Sequence, residues 1–129
     1  MRSAQSSDQS IAVELAPHRR QVVVHLAGDL DIASADALER EVQRQARTAG
    51  IERIVVDLQA VTFMDASGLG ALVSLRNAAK RRGQTFTLIP GPPNVQRVFD
   101  ITAMRPVFDW QLRVVDGSGA TARRDDAAL

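Results

Sequence analysis

Two hydrophobic periods run along this chain, one of two residues and one of three to four, and they divide it into strands and helices. Ile11-Ala12-Val13-Glu14-Leu15 alternates and predicts an edge strand, which Ala16-Pro17-His18-Arg19-Arg20 then breaks as a turn would. Gln21-Val22-Val23-Val24-His25-Leu26 is apolar on both faces, as in a central buried strand. Ala35, Leu38, Val42, Ala46 and Ala49 mark an amphipathic helix, capped near Ser34 and ended at Gly50. The opposite face of that helix carries Glu39, Arg40, Glu41, Arg44 and Arg47, either as a solvated face with weak local ion pairs or as a partner surface. Ile54-Val55-Val56-Asp57-Leu58 is of strand length, and Leu69, Leu72, Val73, Leu75 and Ala79 then follow helical spacing. That second helix closes on Lys80-Arg81-Arg82-Gly83, with cations at the negative dipole end and a glycine to stop it. Thr85–Ile89 alternates into a fourth strand, Pro90-Gly91-Pro92-Pro93 is a rigid loop, and Val95, Val98, Phe99 and Thr102 predict a short third helix. Val107-Phe108 begins a last strand, with Trp110 and Leu112 covering the sheet end. Met1–Ser10 reads as a disordered polar arm, and residues 116–129 as a disordered tail.

The resulting order, β-β-α-β-α-β-α-β, predicts one α/β domain over residues 11–115 with a mixed, mostly parallel sheet. In such sheets the working loops lie beyond the C-terminal ends of the parallel strands. Gly28–Asp31 and Asp65–Gly70 both leave strands at that edge. The second lies within Val61–Leu72, a strand-to-helix turn whose amides Asp65 or Ser67 can cap, while Gly68 and Gly70 let backbone approach closely. Free N–H groups and the positive end of a helix dipole make this turn suited to an anion.

Composition narrows the chemistry. The 129 residues suit one domain, and 16 basic against 15 acidic side chains create no global field toward nucleic acid or anionic membrane. The absence of cysteine excludes disulfides, thiolate metal sites and cysteine nucleophiles. No apolar run has the length of a membrane span and the first ten residues lack a signal-peptide core, so a soluble cytoplasmic protein is expected. His18 and His25 are the only histidines, and neither joins a recognisable triad order. His25 reads as a wall residue of its strand, since no second metal ligand accompanies it. Around Ser67 the chain reads Asp-Ala-Ser-Gly-Leu, not Gly-x-Ser-x-Gly, and no dinucleotide or Walker motif occurs. Asp29, Asp31, Asp57 and Asp65 form a carboxylate set that could take Mg²⁺ as a minor option, because Asp57 points along a strand and could equally cap backbone. A non-catalytic protein without cofactor or metal is expected.

Asp65-Ala66-Ser67-Gly68-Leu69-Gly70, following a buried strand, resembles the signature loop of STAS domains, in particular bacterial anti-sigma factor antagonists. Gly28-Asp29-Leu30-Asp31 is similar to the family's Gly-acidic-apolar-Asp element, and Pro93-x-Val95-x-Arg97-x-Phe99 to the start of its last helix. Together these span roughly residues 10–110. The resemblance implies the STAS β/α layer and a binding module in a partner-switching circuit. Its implied partner is an anti-sigma factor serine kinase, from which the bound antagonist releases the sigma factor. The kinase then phosphorylates the serine directly after the loop aspartate, and a phosphatase reverses this. Carried over by position, the loop aspartate is Asp65 and the acceptor position holds Ala66, which has no hydroxyl. Ser67, the next residue, is the nearest substitute. The implied contact surface is Asp29, Leu30, Asp31, Asp65, Ala66, Ser67, Gly68 and Leu69, without nucleic acid or direct membrane contact. The alternatives are a phosphorylation-independent STAS scaffold and a STAS subunit of a membrane transporter. Members of the family often carry a longer C-terminal amphipathic helix, of which Gln111–Leu129 offers little.

Overall fold

Each parallel strand of this chain is joined to the next by a helix, and strand order in space follows strand order in sequence. A computed structural model describes residues 9–16, 20–48 and 50–113. The elements are β1 (Gln9–Ala16), β2 (Gln21–Leu30), α1 (Ile32–Ala46), β3 (Arg53–Met64), α2 (Ala66–Arg81), β4 (Thr85–Ile89), α3 (Pro93–Ile101), a 3₁₀ turn (Arg105–Val107) and β5 (Asp109–Trp110). They form one five-stranded sheet in the order β1-β2-β3-β4-β5. β1 pairs antiparallel with β2, and the later pairs are parallel. Right-handed crossovers that always step in one direction put their helices on one face of the sheet.

The core follows from that arrangement. Val22, Val24 and Leu26 of β2, Ile54, Val56 and Leu58 of β3, and Phe86 and Leu88 of β4 belong to one buried cluster with Leu38, Val42, Leu72, Leu75, Val95 and Phe99. Val73, whose spacing put it with the apolar stripe of its helix, is only partly buried against the core. On the reverse face Val23, Val55 and Ile89 make a separate small cluster. No helix among the described residues is long and apolar enough to cross a membrane.

Several boundaries differ from the pattern, each for a physical reason. β1 begins at Gln9, inside the expected polar arm, because its first residues pair with Gly28 and Ala27. β2 runs to Leu30 and β3 to Met64, so Gly28-Asp29-Leu30 and Val61–Met64 are strand and not loop. Two register shifts on β3 account for this: between His25↔Asp57 and Asp29↔Phe63, β3 gains a residue twice. Its inward residues Leu58, Val61 and Met64 therefore fall three apart, a spacing that imitates a turn or helix. Asp31, not Ser34, is the N-cap of α1, and the helix ends at Ala46 with Gly50 in a later left-handed turn. Val107 sits in the 3₁₀ turn beside Pro106, so the last strand starts at Asp109. Trp110 packs edge-on against Phe99 at 4.9 Å, as expected of a cover for the sheet end, whereas Leu112 is 72% exposed. The Pro17-His18-Arg19 turn, Ala49, residues 1–8 of the arm and the 116–129 tail lie outside the described residues.

Candidate functional site

Two strands and two helix starts converge at the C-terminal edge of the sheet. Leu30 pairs with Met64 and Asp29 with Phe63, so β2 and β3 end level with each other. Each then enters its helix through one aspartate. Asp31, in extended backbone, accepts at Oδ1 from the amides of Ala33 at 3.0 Å and Ser34 at 3.3 Å. Asp65 does the same for Ser67 at 2.9 Å and Gly68 at 3.1 Å. Both caps satisfy amides that the first turn of a helix leaves unpaired. The open choice between Asp65 and Ser67 as cap is thereby decided for Asp65.

The two junctions are joined. Asp65 N–H donates to the Leu30 carbonyl at 3.3 Å, and Thr62 Oγ1 donates to Asp29 Oδ1 at 3.3 Å. Gly68 rests on the end of β2: a Cβ there would lie 2.8 Å from Leu30 Cγ and closer still to the Leu30 carbonyl oxygen. The close approach read for Gly68 is thus real, but a Cβ on Gly70 would meet nothing within 4 Å. From the other side Asn94, at the start of α3, donates to the Thr62 carbonyl at 2.8 Å.

The eight contact candidates fall into two layers. Leu30, Gly68 and Leu69 are buried and support the edge from beneath. Asp29, Asp31, Asp65 and Ser67 are half-buried, and Ala66 is exposed. Among the described residues no ion pair is made by Asp29, Asp31 or Asp65, so their charge is uncompensated by side chains. Ser67 occupies the second helical position of α2, and its hydroxyl makes no hydrogen bond among those residues. Ala66, at the first helical position, presents its methyl to solvent.

Pattern reading missed two apolar members of this edge. Ile32, directly after the Asp31 cap, is 78% exposed, and Phe63, paired with Asp29, is 48% exposed. An isoleucine at the first position of a helix whose apolar stripe begins later was the available signal for the first. Phe63 carried none, because its face depends on the register shifts. Ile101 and Leu112 are as exposed elsewhere, so exposure alone marks no surface. What sets Ile32 and Phe63 apart is their place next to Asp31 and Asp29 at this edge.

Asp57 does not join the other aspartates. It projects from the reverse face of β3, where Oδ2 meets His25 Nδ1 at 2.9 Å. The four-carboxylate Mg²⁺ cluster is therefore not assembled, and among the described residues no group of three or more His, Asp and Glu is placed to hold a metal.

A family model described as STAS domain matches residues 12–117. The anti-sigma F factor antagonist of Paenibacillus polymyxa is 26% identical over 109 residues, covering 82% of this chain and 93% of that protein. An anti-sigma-B factor antagonist of Bacillus subtilis (strain 168) is 29% identical over 100 residues, covering 78% and 90%. The solved structure of the anti-sigma factor antagonist SpoIIAA in its unphosphorylated form shares the fold with a TM-score of 0.69 at 19% identity, covering 90% of this chain and 97% of that one. A structure of Bacillus SpoIIAA in its phosphorylated form does so with a TM-score of 0.63 at 18% identity, covering 93% and 100%.

Proposed function

The chain belongs to the STAS domain family, and from that premise we propose that it is an anti-sigma factor antagonist, a non-catalytic cytoplasmic regulator. Its partner is an anti-sigma factor serine kinase, which it engages through Asp29, Leu30, Asp31 and the Asp65–Leu69 turn, with Ile32 and Phe63 as apolar anchors. Binding releases the sigma factor, and phosphorylation of Ser67 ends the complex until a phosphatase restores it. Support for the role comes from the antagonists that this chain resembles over nearly their whole length. The functional domain in this reading begins with β1 at Gln9, two residues before the expected boundary, and runs to residue 115.

The observation that carries the switch is the Ser67 hydroxyl, half-exposed and without a hydrogen bond among the described residues, at the second position of α2. A phosphate there brings nearly two negative charges to a helix N-terminus, where the dipole favours each by about 0.3–1 kcal/mol. Asp65, two residues before, opposes this, but both groups stay hydrated in the free protein and folding survives. A partner closing over the turn must strip that water, and an unpaired buried charge costs several kcal/mol. The interface effect is larger, so the modification ejects the partner.

One observation favours a second reading, a phosphorylation-independent scaffold: the position that the resemblance assigns to the acceptor is the exposed methyl of Ala66. Incubation of wild type, Ser67→Ala and Ala66→Ser with the partner kinase and ATP, followed by intact-mass measurement, separates the two. Phosphate on wild type that vanishes in Ser67→Ala is the expected result. Phosphate on Ala66→Ser alone overturns the Ser67 switch and leaves the scaffold.

A further inference from the structure

On the sheet face away from the helices, His25 of β2 stands between carboxylates on both flanking strands. Its Nδ1 lies 2.9 Å from Asp57 Oδ2 on β3, and its Nε2 lies 2.8 Å from Glu14 Oε1 on β1. A neutral imidazole carries one N–H and an imidazolium two. Only the charged ring can donate to both carboxylates. The neutral ring sets a lone pair against one of them at hydrogen-bond distance.

The Glu14 side of this cluster is exposed and the Asp57 side largely buried, and it is the Asp57 side that bears on the sheet. The His25↔Asp57 rung is the last regular one before β3 gains its two extra residues on the way to Asp29↔Phe63. Asp57 also holds the first irregularity from its own side, since Oδ1 accepts the Gln59 N–H at 2.9 Å. One carboxylate therefore touches the ring with one oxygen and the shifted segment with the other. Beyond the ring, β1 pairs along the same stretch, Ser10 with Ala27 and Gln9 with Gly28.

We propose that His25 is a protonation-sensitive clamp: its charged ring ties β1, β2 and β3 together just before the register shifts, and so sets where Asp29 and Phe63 stand in the docking edge. As regulation of that edge the inference rests on the reading above, but the clamp itself is a property of the free protein. Burial pushes the ring's pKa down, yet the hydrogen bonds of Glu14 and Asp57, and then their charges, outweigh it and hold the value above the ordinary 6.5. Among the described residues, Glu14 and Asp57 are the groups that act on the ring. Arg53 shares this face of β3 but lies beyond the intervening Val23↔Val55 rung, and the β1 residue directly opposite is Ala12. Because the folded value is raised, the stabilisation is complete below the unfolded pKa and is lost as pH rises through the folded one.

The test uses the full chain in a His18→Gln background, which leaves His25 as the sole histidine. NMR follows its ring together with the backbone amides of Asp29, Asp31, Phe63 and Asp65 from about pH 5 to about pH 9. The four amides should titrate with the ring's midpoint and become flat in His25→Gln. Asp57→Asn should lower the midpoint, while its side-chain oxygen can still accept from Gln59. A midpoint at or below the ordinary histidine value, or flat amides beside a titrating ring, overturns the clamp. Partner affinity over the same range should fall with the ring's deprotonation in wild type and not in His25→Gln. Titrating amides without partner binding at any pH support the clamp and overturn the docking reading instead.

Discussion

The junctions β2–Asp31–α1 and β3–Asp65–α2 are two solutions to one problem. In both, a parallel strand passes into its helix through a single aspartate whose Oδ1 takes two amides. They differ at the third helical position. The first has Ser34, which is 4% exposed; the Asp31 amide donates to its Oγ at 3.0 Å, and its hydroxyl reaches the Asp29 carbonyl at 3.0 Å. The second has Gly68, which returns nothing to its cap and instead lets α2 press against Leu30. One junction is closed by its own side chains, and the other is held by its neighbour. The same local chemistry thus yields a self-contained turn and one that depends on the sheet. The dependent one carries Ser67.

Substitution at the third position should break the comparison most sharply. Gly68→Ala drives a methyl into Leu30 backbone that cannot rotate away, and the expected loss is about 3 kcal/mol in chemical denaturation. Gly70→Ala, two residues on in the same helix and open on all sides, should instead gain about 0.5–1 kcal/mol. Equal effects at the two glycines would mean that α2 does not rest on β2.

Ser34→Ala comes next in size. It leaves the Asp31 amide without its side-chain acceptor and the Asp29 carbonyl without its donor, and should cost about 1–3 kcal/mol. Thermal unfolding should report this loss, with protection from hydrogen exchange falling first around Asp29–Asp31. A neutral Ser34→Ala would make the first junction no more self-contained than the second.

The smallest effect on stability is expected at the most telling residue of the proposed contact surface. Asp29 caps no helix and gives up only the 3.3 Å bond from Thr62 Oγ1. Asp29→Lys should therefore change stability by about 0.5 kcal/mol while weakening binding of the proposed partner in a titration calorimeter. Asp31→Lys is the poorer probe, because it removes a helix cap worth about 1 kcal/mol along with the charge. Undiminished affinity of Asp29→Lys would remove the acidic edge from the interface.

Local periodicity and capping chemistry determined a good deal on their own. Thr85–Ile89 is strand to the residue, the helical stripes of Leu38–Val42 and Leu69–Leu72 are buried, and Pro93 opens α3. Given strand order and right-handed crossovers, the meeting of Asp29–Asp31 with Asp65–Leu69 at one edge also followed, because topology places the C-terminal ends of parallel strands together. Tertiary structure decided the rest through backbone pairing between distant segments. Two extra residues on β3 turned Val61–Met64 from apparent turn into strand, exposed Phe63 and separated Asp57 from the other aspartates. Which of two neighbouring glycines was needed depended on whether Leu30 stood opposite it. His25, plain in its own strand, gained its two carboxylates only when Glu14 and Asp57 arrived on either side. A side chain's neighbours along the chain are written in order, but its neighbours across a sheet are set by register, and register is a property of the pair.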